Sequence, residues 1–398
     1  MTVTAPKGFR AAGVAAGLKA SGLDVALIVN DGPDATAAGV FTANRVKAAP
    51  VLWSQQVLRA GVVRAVVLNA GGANACTGPQ GFQDTHTTAE QVAAKLTATG
   101  GGRPATSGRH WQSMGAADVA VCSTGLIGER LPMPKLLAGV DSAVRGLARD
   151  GGPAAAQAIM TTDTRAKTTV VAGPGWSVGG MAKGAGMLAP GLATMLCVLT
   201  TDAVADSSAL DTALRRAAAV TFDRLDSDGC QSTNDTVLLL ASGASGMSAT
   251  EEELIDAVTA ACKDLALQLL SDAEGSTKDI TIEVRAAATE ADALEVARAV
   301  ARNNLVKTAI FGADPNWGRI LAAVGTTAAR FEPDSLAVAV NGVWVCRAGA
   351  AAEDRSKVDL SGRAVHIIID LNAGSQTGTI WTNDLSIAYV HENSAYST

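Results

Sequence analysis

Between Lys183 and Asp202 the chain reads KGAGMLAPGLATMLCVLTTD, uncharged from one end residue to the other. Within it the small-residue pair Ala193-Thr194 follows a Pro/Gly break and leads into the strand-like run MLCVL. A threonine hydroxyl is a weak nucleophile until a base takes its proton, and no histidine lies nearby in sequence. Cutting the chain before Thr194 would supply that base. The freed α-amino group, with an unperturbed pKa of about 7.7–8.0, would sit on the same residue as the hydroxyl. Small residues ahead of the cut permit the tight turn of an N-to-O acyl shift. The same segment also reads as a loop entering a buried strand, with Thr194 merely its first residue. On these residues alone both readings stand.

A second candidate hydroxyl belongs to Ser177. The run GWSVG, Gly175 to Gly179, fits GxSxG, the strand-to-helix elbow of serine hydrolases, and the apolar run TTVVA precedes it. The elbow demands a helix straight afterwards. Here GGMAKGAGMLAP follows, a poor helix because each Gly costs roughly 1 kcal/mol relative to Ala. A Gly-flanked turn is the plainer reading. The four histidines, His86, His110, His366 and His391, show no metal-ligand spacing, and there is neither HExxH nor a paired CxxC. No metal site is expected. No GxxxxGK[ST] loop occurs, no GxGxxG follows a strand, and in GMAKGAG (180–186) the lysine precedes the later glycines. A nucleotide-binding fold has no support.

The elements that must carry such a site are short apolar runs ending near Gly, Asn or Asp. Strands are predicted at Asp24–Val29, Val62–Leu68, Asp118–Cys122, Thr168–Ala172, Thr236–Leu240, Asp279–Val284 and Ala364–Asp370. Helices are predicted at Lys135–Arg149, Ser208–Leu225, Glu251–Asp272 and Glu290–Val306. Ser248/Glu251 and Thr250/Glu253 both fit a capping box at the third helix. Thr97–Gly108 reads as a polar surface loop, and Asp150–Pro153 (DGGP) as a helix end. Strands and helices mixed throughout predict an α/β or α+β protein.

Composition narrows the function. The 398 residues allow two to four domains at roughly 100–200 residues each. Apolar residues make up 48% and charged residues 18%, which excludes a disordered chain. A net charge of -6 with scattered Lys and Arg gives no basic stripe, and 4% aromatics gives no base-stacking platform. Nucleic acid is excluded as a partner. The start, MTVTAPKGFRAAG, lacks the apolar core of a secretory signal. No apolar run approaches the ~18–20 residues needed to cross a bilayer, so no membrane is expected. The six cysteines, widely spread and mostly in apolar surroundings, read as reduced core thiols of a cytoplasmic protein.

The segment Lys183-GAGMLAPGLA-Thr194-Met-Leu resembles the self-cleavage segment of the bifunctional ornithine acetyltransferase/N-acetylglutamate synthase family of arginine biosynthesis. Five further segments agree in order: NAGGANACTG (69–78), CSTGLIG (122–128), STNDT (232–236), GADPNWGR (312–319) and ENSAY (392–396). The resemblance covers nearly the whole chain. This chain has Gly191-Leu192 where the family often has Asn-Met, but the scissile pair is intact.

The resemblance implies a two-domain α/β protein, a layered αββα-type sandwich with an N-terminal-nucleophile-like site between the domains. It implies self-cleavage between Ala193 and Thr194 into an α chain, 1–193, and a β chain, 194–398, which pair again as α2β2. Thr194 would be the nucleophile, Thr124 and Gly125 the oxyanion-hole pair. Thr161, with Thr162 adjacent, Lys183, Thr194, Glu274, Asn393 and the terminal Thr398 would bind substrate. The implied substrates are N2-acetylornithine and glutamate, with no cofactor; acetyl-CoA is a further acetyl donor if the enzyme is bifunctional, the alternative being a monofunctional ornithine acetyltransferase that does not use it. Asn74 and Asn316 read as backbone-turn residues.

Overall fold

A computed structural model describes residues 2–99, 114–189 and 195–395. Ala193, Thr194, Thr398 and most of the Thr97–Gly108 loop lie outside them. The first part of the chain runs β1 (Phe9–Val14), β2 (Val25–Asn30), β3 (Thr36–Phe41), α1 (Ala49–Val57), β4 (Ala65–Gly72), α2 (Gly78–Ala98), β5 (Val119–Leu126), α3 (Met133–Arg145), α4 (Gly152–Ala158), β6 (Lys167–Ala172) and β7 (Ser177–Lys183). It continues with β8 (Leu196–Thr201), α5 (Ser207–Val220), β9 (Thr236–Ala241) and α6 (Glu251–Ser271).

These strands form two sheets, ordered β1-β2-β4-β5 and β3-β9-β8-β7-β6. The sequences of β2, β8 and β9 are near-continuous apolar runs, every residue of which is buried. That is the pattern of strands covered on both faces. Alternate residues of β8 show how. Leu196 and Val198 join one core with the first sheet, while Cys197 and Leu199 join a second core with Leu214 of α5 and Leu265 of α6. Helices α2 and α3 pack together and α3 contacts β1 and β2. The result is four layers, helix–sheet–sheet–helix, as the resemblance implied. Helix α6 starts at the Thr250/Glu253 capping box: Thr250 N–H donates to Glu253 Oε2 at 3.0 Å and Glu253 N–H to Thr250 Oγ1 at 3.3 Å.

A third sheet, ordered β13-β12-β11-β14-β10-β15, follows. It comprises β10 (Asp279–Ala287), β11 (Ala337–Val340), β12 (Val343–Arg347), β13 (Ala350–Ala351), β14 (Ala364–Asp370) and β15 (Gln376–Asn383). Helices α7 (Glu290–Ala301), α8 (Asn304–Phe311) and α9 (Trp317–Val324) share its core. Alternate residues Ile280, Ile282 and Val284 of β10 are buried, the signature of one covered face. Helix α10 (Ile387–Ala395) closes the described chain.

Four expectations are corrected. DGGP begins α4 rather than ending a helix, with Pro153 in its first turn. The stretch expected to be one helix over Glu290–Val306 is two, because Asn303 caps a new helix by accepting the Val306 N–H at 3.1 Å. Ser248 plays no part in the α6 cap. Cys122, Cys197, Cys262 and Cys346 are buried as expected, but Cys76 and Cys230 are exposed; all six are free thiols.

Candidate active site

The ends of β5 and β7, from facing sheets, meet at one cleft. Its lining includes Thr124, Gly125, Thr161, Lys183, Glu274 and Asn393, and its empty space, counting the open mouth, is about 620 Å³. Six site residues anticipated from sequence are thus brought together. Asn393 projects from α10, and its amide donates to the Tyr389 carbonyl at 3.0 Å.

Gly125 stands opposite Gly71 near the end of the parallel pairing of β5 with β4, where the register shifts. Its φ of +127° lies in the region that favours glycine, and a Cβ there would sit 2.6 Å from the backbone of Gly71 and Gly72. Only glycine allows so close an approach. Just before it, Ser123 Oγ donates to Asn69 Oδ1 at 2.6 Å, while the Asn69 amide donates to the Gly72 carbonyl at 3.0 Å. These bonds fix the strand end that presents Thr124.

Lys183 is buried at the end of β7 and donates from Nζ to Thr124 Oγ1 at 3.3 Å. An ammonium has no lone pair to accept with, so the Thr124 O–H remains free to donate into the cleft. Complete burial pushes the Lys183 pKa below the ordinary lysine value, against the pull of Asp163, Asp235 and Glu274. Glu274 lies just beyond α6; its Oε1 accepts from Thr162 Oγ1 at 2.7 Å. The Glu274 N–H donates to the Ala185 carbonyl at 2.9 Å, and a Cβ at Gly186 would strike the carboxylate at 2.6 Å. Thr161 and Thr162 both line the cleft, and the hydrogen bond to Glu274 belongs to Thr162.

Behind these residues is a buried charge network. Lys167 Nζ bonds Asp163 Oδ1 and Asp272 Oδ2, each at 2.5 Å, with its side chain wholly out of solvent. Asp163 also accepts the Thr161 N–H at 3.0 Å and the Gly184 N–H at 2.7 Å. Burial alone would raise its pKa, but Lys183, Lys167 and the Gly184 N–H hold it below the usual carboxylate range. Asp272 accepts the Thr164 N–H at 3.1 Å and the Thr164 hydroxyl. One ammonium therefore ties the Thr161–Thr164 loop to the segment carrying Glu274.

The rival site does not form. Ser177 opens strand β7, where a nucleophile elbow needs a helix, and its N–H donates to Asp202 Oδ1 at 2.7 Å. Asn74 and Asn316 serve as turn and cap. Asn74 has φ of +49° and bonds Gly81 and Thr85 at the start of α2; Asn316 caps α9 through the Arg319 N–H at 3.2 Å.

The family model of the ArgJ family matches residues 10–398. The chain belongs to the ArgJ family. It is 64% identical to the arginine biosynthesis bifunctional protein ArgJ of Streptomyces avermitilis over the full length of both chains. It is 60% identical to the protein of that name from Mycobacterium tuberculosis, covering 100% of this chain and 96% of the relative. Among solved structures, ornithine acetyltransferase of M. tuberculosis complexed with ornithine is 60% identical, with a TM-score of 0.44, covering 49% of this chain and 96% of that one. The ArgJ protein of Bacillus halodurans is 35% identical with a TM-score of 0.47, covering 50% and 97%.

In this ArgJ-family chain, sequence reasoning missed Asp163, Lys167 and Asp272. Asp163 and Lys167 stand four apart in TTDTRAK (161–167), which also holds Thr161, and Asp272 opens DAEG (272–275), which holds Glu274. What no local pattern carries is that they meet across about a hundred residues.

Proposed function

We propose that the chain is an acetyltransferase of arginine biosynthesis that moves the acetyl group of N2-acetylornithine to glutamate through an ester on Thr194. The observation that carries this reading is the convergence of Thr124, Gly125, Lys183, Glu274, Thr161 and Asn393 on one cleft. Maturation comes first. The Thr194 hydroxyl attacks the Ala193 carbonyl, the Ala193–Thr194 C–N bond breaks, and water hydrolyses the resulting ester. This leaves an Ala193 carboxylate and a free amine on Thr194. That amine takes the hydroxyl proton as Oγ attacks the amide carbonyl of N2-acetylornithine.

Thr124 and Gly125 donate to the developing oxyanion, a contribution of about 2.7–4 kcal/mol per donor where such donors have been removed. The C–N bond breaks, ornithine leaves with the proton on its amine, and acetyl remains on Thr194. Glutamate enters, its amine attacks the ester carbonyl, and Thr194 Oγ leaves and recovers a proton. N-acetylglutamate departs. Lys183 and Glu274 are the charged partners of the amino-acid carboxylate and amine, and Thr161, Asn393 and Thr398 complete the binding set. Acetyl-CoA loads the same ester with its thiol as leaving group. No resident cofactor takes part. The α and β pieces stay paired as α2β2 in the cytoplasm.

The test is the denatured intact mass of the purified protein and its Thr194→Ala variant, with acetyl transfer assayed from either donor to glutamate. Two fragments cut before Thr194, absent in the variant together with transfer, are the expected result. An uncut chain that still transfers acetyl overturns the threonine mechanism. Failure to form N-acetylglutamate from acetyl-CoA restricts the enzyme to recycling from N2-acetylornithine.

A further inference from the structure

Asp235 has no role in the steps above, and it is completely buried. It belongs to the segment STNDT, Ser232 to Thr236, which runs into β9. Its Oδ1 accepts the Met195 N–H at 3.0 Å. That amide nitrogen is half of the peptide unit joining residue 194 to 195. The Met195 carbonyl in turn accepts the Thr236 N–H at 3.1 Å, and Leu196 pairs in parallel register with Thr236. Asp235 is itself anchored, because its backbone carbonyl accepts the Thr42 N–H at 2.9 Å.

The preceding residue works on the facing sheet. The Asn234 amide donates to the Ala73 carbonyl at 2.6 Å and the Ser123 carbonyl at 2.8 Å. Two consecutive side chains therefore grip the residue just before Thr124 and the residue just after Thr194. The Ser232 and Thr42 hydroxyls bear on the same carboxyl and favour its charged form.

We infer that Asp235 is a positioning residue for the chemistry of Thr194, acting through its hold on the amide of Met195, the next residue along the chain. The inference rests on Thr194 as the nucleophile. Burial raises the Asp235 carboxyl well above its ordinary pKa, and an amide keeps an acceptor oxygen at the same length from the backbone. What the position requires is an acceptor of the right length.

The test compares Asp235→Asn, which keeps that acceptor, with Asp235→Leu, which keeps the bulk and loses it. Asp235→Ala is the second acceptor-less form in case the leucine variant does not fold. Folding is checked by circular dichroism, maturation by intact mass, and turnover by steady-state kinetics. Asp235→Asn should mature and turn over close to the parent. The acceptor-less variants should mature slowly and lose kcat by about 10²-fold, the scale of a 1 Å misplacement. Their KM for N2-acetylornithine should hold, because Lys183 and Glu274 are untouched.

Acceptor-less variants that mature and turn over like the parent overturn the inference. So does an asparagine variant as impaired as they are, which would make the acid proton or charge the requirement. Thr194→Ala is assayed in parallel. If it still matures and turns over, the nucleophile reading fails on its own, whatever the Asp235 variants do.

Discussion

Thr124 sits where two demands meet. Its oxygen accepts from Lys183 Nζ at 3.3 Å, which leaves its hydrogen to be donated into the cleft. Valine matches its shape and removes both interactions. Thr124→Val should therefore lower kcat by about 10²–10³ with little change in KM, the pattern of a donor used only in the transition state. Steady-state kinetics on N2-acetylornithine checks it. At this scale the resemblance pointed to residues that line one cleft wherever a matching segment carried them: Thr124 and Gly125 in CSTG, Glu274 in DAEG, Lys183 at the head of its uncharged run. It was silent on Asp163, Lys167 and Asp272. A charge network assembled from distant segments leaves no periodicity or spacing to read.

Elements show a different division. The central strands were legible because burial on both faces demands unbroken apolar runs, and Ala364–Asp370 was placed to the residue. Helix α2 was not anticipated. Its sequence, GPQGFQDTHTTAEQVAAKLTA, holds three threonines and two glycines in its first eleven residues, all modest helix formers. Tertiary contacts override that preference: Thr85 and Thr88 are buried, and Thr88 Oγ1 donates back to the Asp84 carbonyl at 2.8 Å.

The buried lysine of β6 is the element-scale test. Replacing Lys167 by Met leaves Asp163 and Asp272 facing each other without the ammonium they share, a loss of roughly 3–5 kcal/mol. Urea denaturation should show the midpoint falling. Binding of N2-acetylornithine should weaken as well, because the Thr161–Thr164 loop and the Glu274 segment lose their common anchor.

At the scale of the whole molecule, the third sheet is fastened to the sandwich by polar groups. Lys307 Nζ donates to the Ser227 carbonyl at 2.6 Å and to Thr382 Oγ1 at 3.0 Å. Arg302 Nε donates to Asp226 Oδ2 at 2.8 Å, and Arg224 pairs with Glu290 at 2.7 Å. Burial outweighs the Arg302 contact at Asp226 and pushes its carboxyl up to about 6 from the ordinary 3.8. The sign follows from proton counts. Between about pH 4 and 6 the folded chain keeps a proton that the unfolded chain has released, so this group's contribution to stability falls as pH rises. The span is about 3 kcal/mol for two pKa units. Asp226→Asn should gain stability relative to the parent on going from pH 4 to pH 7, whatever its offset at the acid end. Thermal melts of both proteins across that range check the slope.

The second sheet gives the proposed cut an unusual consequence. Strands β3, β6 and β7 precede residue 194 and strands β8 and β9 follow it, and β7 lies against β8 through six residue pairs. A chain severed there is still one folded body, but it has become two molecules. Before the cut, losing the fold and regaining it is a private affair of one polypeptide. After it, reassembly requires two partners to find each other, and the melting temperature of the mature enzyme acquires a dependence on protein concentration that its precursor lacks. Maturation would turn a folding equilibrium into an association, and the same sheet would answer to mass action.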